Sequence, residues 1–443
     1  MEMTFRERIF PTWIKLTSVN HSRKRRYTDR GRLIQTGTVI CGVIGLDTDL
    51  SFVYQLFALL ICVLIASRLS LRFQRPKITL SRRLPPYATV GKSFEYSFTL
   101  INGGDRVERD LSITDNPKII PPTLEQFRHI KEPGEETRNA YDRWIGWHRF
   151  IWLQRVNTGI TISTSKSPDV PVKGNSTTTM TATPLRRGLV HLEATTVLHP
   201  DPFTLTYGVI RFENYEQLIV LPRRYPVSEN FEFLDQCDFH ATGVNSSWSV
   251  GESDEFVSLR DYRNGDPIRK IHWPSTARRA LPIIKEFQDE LFSRKTIVVD
   301  TFAQDSEIFE EVISVTASLL TASHESNALL DLCFMSDRTE IVEANLGHAN
   351  ISKQLEALAL LEKTTSQPEE LINSLITRSK MISNCILVFA GMDSKRQRII
   401  QAIESQDIPT AIFVVKHAKD QTVMREDYKL LEIGRIEEGL ANL

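Results

Sequence analysis

The chain has 443 residues, with 54 Lys and Arg against 55 Asp and Glu and a formal net charge of −1. That length fits two or three domains, and so even a balance argues against a nucleic-acid binder held by overall basicity. Hydrophobic residues make up 41% and charged residues 25%, ordinary globular values that conceal one strongly apolar region.

Residues 1–32 form a basic N-terminal stretch containing Arg23, Lys24, Arg25, Arg26, Arg30 and Arg32. Two apolar runs follow within 33–70. Leu50 to Ser67 (LSFVYQLFALLICVLIAS) carries no charge over 18 residues, long enough for a transmembrane candidate. Leu33 to Leu46 is shorter, and Asp47-Thr48-Asp49 breaks the two. The pattern predicts a helical hairpin in the membrane. A cleaved signal peptide fits less well, because its apolar core is rarely followed at once by a longer one. Arg68, Arg72, Arg75 and Lys77 follow the hairpin, while its tip holds only Asp47 and Asp49. The positive-inside rule then places both ends, and the main body, in the cytoplasm. The basic block serves as a topology signal or lies against anionic head groups.

From 77 to 226 short alternating runs such as ITLSRRLPPYATVGKSFEYSFTLINGG break at Pro85-Pro86 and Gly103-Gly104. Several short strands divided by turn residues predict a β-sandwich. An insertion at 123–157 interrupts it, with Phe127, Tyr141, Trp144, Trp147, Phe150 and Trp152 among Arg143, Arg149 and Arg155. Trp144, Trp147, Ile151 and Gln154 fall on one helical face. Packing onto the sandwich, a membrane interface and a protein-binding groove all suit that composition.

Residues 227–293 hold the densest pattern, Gly251 to Glu290, which reads GESDEFVSLRDYRNGDPIRKIHWPSTARRALPIIKEFQDE. Asn264-Gly265-Asp266-Pro267 has turn chemistry: glycine tolerates positive φ, proline fixes φ, and the short polar side chains bond the local backbone. Arg260, Arg269 and Arg278 lie among Asp254, Asp261, Asp266, Glu286 and Glu290, so arginine forks clamping carboxylates are expected. The run resembles the signature of the domain-of-unknown-function 58 family. The match falls at Gly251, Asp254, Glu255, Phe256, Leu259, Arg260, Tyr262, Gly265, Asp266, Arg269, Ile271, Trp273, Ala277 and Arg278, with Asp261 where the family more often has glutamate. Arg186-Arg187-Gly188, Asp201-Pro202-Phe203 and Leu221-Pro222 are further landmarks of that resemblance. No nucleophile–base pair or metal-ligand spacing stands out in the signature, which leaves a polar structural core or a recognition surface. His272, beside Trp273, reads as packed or ion-paired.

Residues 294–443 alternate strands (Lys295–Asp300, Leu329–Met335, Asn384–Ala390, Thr410–Val415) with helices (Glu307–His324, Ile351–Leu361, Glu369–Arg378, Arg396–Glu404), predicting a mainly parallel α/β sheet. The layout resembles a von Willebrand factor A-like, Rossmann-like domain, which commonly follows the signature in this family. The resemblance implies a D-x-S-x-S metal site after the first strand. Here that stretch is Asp300-Thr301-Phe302-Ala303-Gln304, a degenerate site lacking both serines. Magnesium needs a nearly octahedral set of oxygens, so no metal is expected there, even with Asp393 nearby.

Cys41, Cys62, Cys237, Cys333 and Cys385 have no paired spacing for zinc or redox work, and no P-loop, dinucleotide fingerprint, nucleophile elbow or H-E-x-x-H occurs. No cofactor is expected. The resemblance implies a multi-pass protein of the bacterial inner membrane that accompanies a MoxR-type AAA+ ATPase and acts as a non-enzymatic adaptor in maturing protein complexes or the cell envelope. The alternative is an enzyme using Asp254, Arg260, Asp266, Arg269 and His272 on an envelope-related substrate.

Overall fold

The computed structural model describes residues 9–17, 27–44, 51–74, 76–228, 248–263, 268–279, 281–325, 329–336, 339–343, 348–364, 368–379, 382, 384–418, 420, 425 and 427–442. Two compact units divide the chain, one up to Leu221 and one from Pro222.

In the first unit the helix Asp29–Ile44 packs on the helix Ser51–Phe73. Among the described residues Phe52–Phe73, with 22 residues, is long and apolar enough to cross a membrane. Asp29–Ile44 has 16 residues, roughly 24 Å at about 1.5 Å per residue, against a hydrocarbon core of about 30 Å. Its first turn also contains Asp29, Arg30 and Arg32. Of the hairpin expected from two apolar runs, the described residues show one helix of spanning length and 16 residues of another. Asp47, Thr48 and Asp49 lie outside the described residues.

Ten strands follow: β1 (Ile78–Arg83), β2 (Tyr87–Thr89), β3 (Phe94–Asn102), β4 (Ser112–Pro117), β5 (Ile160–Ile162), β6 (Ser165–Lys166), β7 (Asn175–Pro184), β8 (Gly188–Pro200), β9 (Tyr207–Phe212) and β10 (Glu216–Leu221). They make two sheets, β1-β3-β7-β5 and β2-β10-β8-β4-β6, with β9 beside β8. Phe98, Leu100 and Met180 from the first sheet share one core with Ile113, Leu192, Val197 and Leu218 from the second. Alternation drives this burial, as in β1, where Ile78 and Leu80 point inward and Thr79 and Ser81 outward.

The insertion forms the helices Leu124–His129, Ala140–Ile145 and Trp147–Thr158. Thr123 and Gln126 close a reciprocal capping box on the first. Gly146, at φ 75°, ends the second and starts the third, which separates Trp144 from the helix carrying Trp147, Ile151 and Gln154. Residues 9–17, inside the stretch that composition marks only as basic, form another helix. Its Phe10 and Trp13 complete an aromatic core with Phe127, Phe150 and Leu153. Arg149 is buried under this core, bidentate to Glu135 and donating to the Phe127 carbonyl at 3.0 Å. Packing is thus what most of the insertion's aromatic residues do.

Asp201 has a local job. Its Oδ1 accepts the Leu205 and Thr206 amides at 2.7 and 2.9 Å, fixing a turn on which the two N-terminal helices dock. The Thr28 amide donates to the Leu205 carbonyl at 3.0 Å, and the Ser67 and Thr206 hydroxyls lie 2.7 Å apart. Gly31 is required at this junction, since a Cβ there would fall 1.9 Å from the Leu205 carbonyl oxygen.

The second unit contains β11 (Trp248–Asp261), β12 (Ile283–Val299), β13 (Leu329–Met335), β14 (Thr339–Val342), β15 (Asn384–Ala390), β16 (Thr410–Lys416) and β17 (Lys429–Glu432), in the order β14-β13-β12-β15-β16-β17. All neighbours on that path are parallel except β14. β12 does two things: its first half pairs antiparallel with β11 and its second half is a central parallel strand. It therefore runs unbroken across the boundary near residue 294 that composition suggests. One sheet face, with Val298, Cys333, Leu387 and Val414, packs on Leu371 and Leu375 of the helix Glu369–Arg378 and on Ile399, Ile400 and Ile403 of the helix Ser394–Glu404. The helix Ser306–Glu325 packs against β12, β13, β15 and β16. Cys333 and Cys385 sit in this core, and burial pushes the Cys333 thiol up to about 12, so both behave as small hydrophobes. Cys237 lies outside the described residues.

Candidate functional site: the carboxyl edge of the parallel sheet and the signature hairpin

Parallel α/β sheets present their functional groups beyond the carboxyl ends of the strands. β12 ends there at Val299, delivering Asp300, and β15 ends at Ala390, leading through Gly391 to Asp393. Asp300 is fully committed. Its Oδ1 accepts the Phe302 amide at 2.8 Å, while Oδ2 accepts the Ala390 amide at 2.8 Å and Arg396 Nε at 2.6 Å. The Asp300 side chain is 0% exposed and that of Arg396 8%, so a guanidinium neutralises this carboxylate without a bound cation. Arg396 Nη1 also lies 2.9 Å from Asp393 Oδ2. Asp393 caps the helix Ser394–Glu404 through the Lys395 and Arg396 amides.

Phe302 and Gln304, which the resemblance would set in serine positions, have other occupations. Phe302 packs against the core beneath the helices Glu369–Arg378 and Ser394–Glu404. The Gln304 carbonyl accepts Lys363 Nζ at 3.2 Å, and the Thr301 carbonyl accepts the Thr364 amide at 2.9 Å. Beside them His417 Nε2 lies 3.0 Å from Asp305 Oδ2. That hydrogen bond raises the His417 pKa and lowers that of Asp305. Among the described residues no three His, Cys, Asp or Glu side chains come together as a metal site. What this edge presents is a set of ion pairs closed on themselves.

The signature folds as the β11–β12 pair, with Gly251 opposite Glu290 and Ser258 opposite Glu286. Ile268–Lys270 makes a single 3-10 turn and Trp273–Arg279 a short helix. His272 starts that helix. Its amide donates to the Ile283 carbonyl at 2.8 Å, and its Nδ1 lies 2.7 Å from Ser275 Oγ. Thr276 Oγ1 donates to the His272 carbonyl at 3.0 Å and accepts the Ile283 amide at 3.0 Å. This clasps the helix to β12. The backbone of Tyr262 joins Pro282 at 3.0 Å, and Arg260 Nη1 donates to the Asp261 carbonyl at 3.3 Å.

His272 is thus bonded to a serine, where the sequence suggests packing or an ion pair. The two residues sit within hydrogen-bond reach in one helical turn. Triad chemistry would also need a group orienting the ring, and none holds its other nitrogen among the described residues. Trp273 is 64% exposed and Ile268 68%, while Arg269 and Arg278 are also exposed. Gly265 and Asp266, and the side chains of Asp254, Phe256, Glu286 and Glu290, lie outside the described residues, as does any ion-pair network built on them. Arg396 is the site residue the sequence pattern misses. Its partner is 96 positions away, and no local spacing announces it.

The family model described as "Protein of unknown function DUF58" matches residues 258–390, from the end of β11 to the end of β15. The chain is 27% identical over 184 residues to the "Uncharacterized protein YeaD" of Bacillus subtilis (strain 168), covering 41% of this chain and 45% of that protein. It therefore spans less than half of that relative's length. Solved structures with local likeness include an ASH / PapD-like domain of human CEP192, at 17% identity and TM-score 0.17 over 32% of this chain and 83% of that one. A cohesin module from a Clostridium perfringens family 33 glycoside hydrolase matches at 8% identity and TM-score 0.16, over 33% and 98%.

Proposed function

We propose that the protein is a membrane-anchored, non-enzymatic interaction protein, with its body in the cytoplasm and its apolar segments within 33–70 in the bacterial inner membrane. Its partner in this reading is a MoxR-type AAA+ ATPase, and its work is the assembly or chaperone-like maturation of protein complexes or the cell envelope. The α/β unit, with its von Willebrand factor A-like layout, is the recognition module. One observation carries the reading: Arg396 occupies the Asp300 carboxylate at the sheet's carboxyl edge, where a metal-using or catalytic member of such a layout would keep an open acid. The spanning-length helix Phe52–Phe73 supports the anchor, and the exposed Ile268, Trp273 and Arg269 supply a surface for a partner.

The rival reading is an enzyme built around the signature, and the His272–Ser275 contact is the observation in its favour. The unoriented ring favours the adaptor. Co-purification from detergent extracts separates the two. Wild type should recover an AAA+ hexamer, and the Arg260→Ala/Arg269→Ala double variant should lose it while still folding. Recovery of no ATPase, together with substrate turnover abolished by Ser275→Ala, would favour the enzyme.

A further inference from the structure

The first unit contains a cavity of about 460 Å³ between β4 and the edge strand β5, roofed by the helix Trp147–Thr158 and touched by Thr17. This is the size of a small-molecule site, for which about 300–1,000 Å³ is usual. Trp147, Ile151, Ile160 and Ile162 give it an apolar wall. Two polar groups break that wall. Gln154 lines the cavity and is only 9% exposed, yet its side-chain amide has no hydrogen-bond partner among the described residues. That amide, accessible from the cavity, is placed to hydrogen-bond a ligand. Arg155, the next residue, also lines the cavity but is exposed, and its guanidinium has no acidic partner among the described residues.

The cavity's acid is already engaged. Tyr96 Oη and Thr195 Oγ1 each donate to Asp115 at 3.0 Å, and Arg82 Nη1 lies 3.6 Å away. A cationic ligand would have to compete with that buried arginine, whereas an anionic one meets the open cation at Arg155. We propose that this cavity binds a single-chain amphiphile with an anionic head. The chain lies against Trp147, Ile151 and Ile162, the carbonyl or ester oxygen takes a hydrogen bond from Gln154, and the carboxylate or phosphate pairs with Arg155. Such a ligand comes either from free fatty acid or from a lysophospholipid.

Trp147 on the wall reports occupancy, and none of the six tryptophans lies between residues 33 and 70, where a quencher dissolved in bilayer would collect. Full-length protein in lipid nanodiscs is titrated with a brominated C12 carboxylate, a brominated lysophosphatidate and a brominated C12 alcohol. Saturable quenching by either anion is expected, with the alcohol at least tenfold weaker. The anion that quenches identifies the source of the ligand. Arg155→Ala should weaken the anion tenfold or more without changing the melting curve, because that side chain is exposed and has no acidic partner among the described residues. Trp147→Phe should remove the saturable component. Quenching that fails to saturate, or equal affinity for alcohol and anion that is unchanged in Arg155→Ala, would overturn the proposal.

Discussion

Asp300 shows how one side chain changes the character of a whole sheet edge. A buried carboxylate must be compensated, and the fold does so with two amides and one guanidinium. Removing the guanidinium leaves a buried charge unpaired, a loss of about 3–5 kcal/mol. Arg396→Ala should therefore lower the melting temperature by on the order of ten degrees, measured by circular dichroism on the full chain in detergent. A shift of a degree or less would mean that the pair is dispensable. The stretch Asp300, Phe302 and Gln304 is legible in the sequence as a departure from the D-x-S-x-S pattern that the resemblance implies, because that departure is local. Arg396 stays hidden because its role exists only once the helix Ser394–Glu404 is laid beside β12.

The neighbouring pair makes a pH prediction. The shared hydrogen bond raises the His417 pKa from its ordinary 6.5 and lowers that of Asp305 from 3.8. The contribution of the pair is then full between those two ordinary values. It fades at lower pH as Asp305 protonates through its lowered pKa, and at higher pH as His417 loses its proton through its raised one. Both side chains are more than a third exposed, so the effect stays below about 1 kcal/mol. His417→Ala should be slightly destabilised at pH 5.5 and indistinguishable from wild type at pH 9. A difference that is the same at both values would contradict the ion pair.

Among elements, the insertion is the clearest case of partial legibility. Trp147, Ile151 and Gln154 do share a face, as their spacing requires, and that face meets the cavity rather than solvent. Trp144 leaves the group because Gly146 adopts φ 75°, a conformation open to glycine at little cost. The helix at 9–17 escapes composition altogether. Its Phe10, Trp13 and Thr17 recur at helical intervals, but six basic residues further on dominate the N-terminal text. Trp13 packs edge-on against Phe127, Trp147 and Phe150. Trp13→Ala should cost about 3–5 kcal/mol in the unfolding of the first unit, followed by differential scanning calorimetry. A loss under about 1 kcal/mol would show that this helix adds little to the core.

At the scale of the molecule, the sequence separates a sheet-rich first half from an alternating α/β second half because the periods of burial differ, two against 3.6. It cannot place the transition at β12, since a strand that is antiparallel in one half and parallel in the other has no local mark. The proposed recognition role has Arg396 compensating Asp300 at the sheet's carboxyl edge, with no need of a cation there. Calorimetric titration of the full chain with magnesium and with manganese should then show no one-to-one isotherm at dissociation constants below about a millimolar, for wild type and Asp300→Asn alike. A one-to-one isotherm in that range, present in wild type and abolished by Asp300→Asn, would contradict that role.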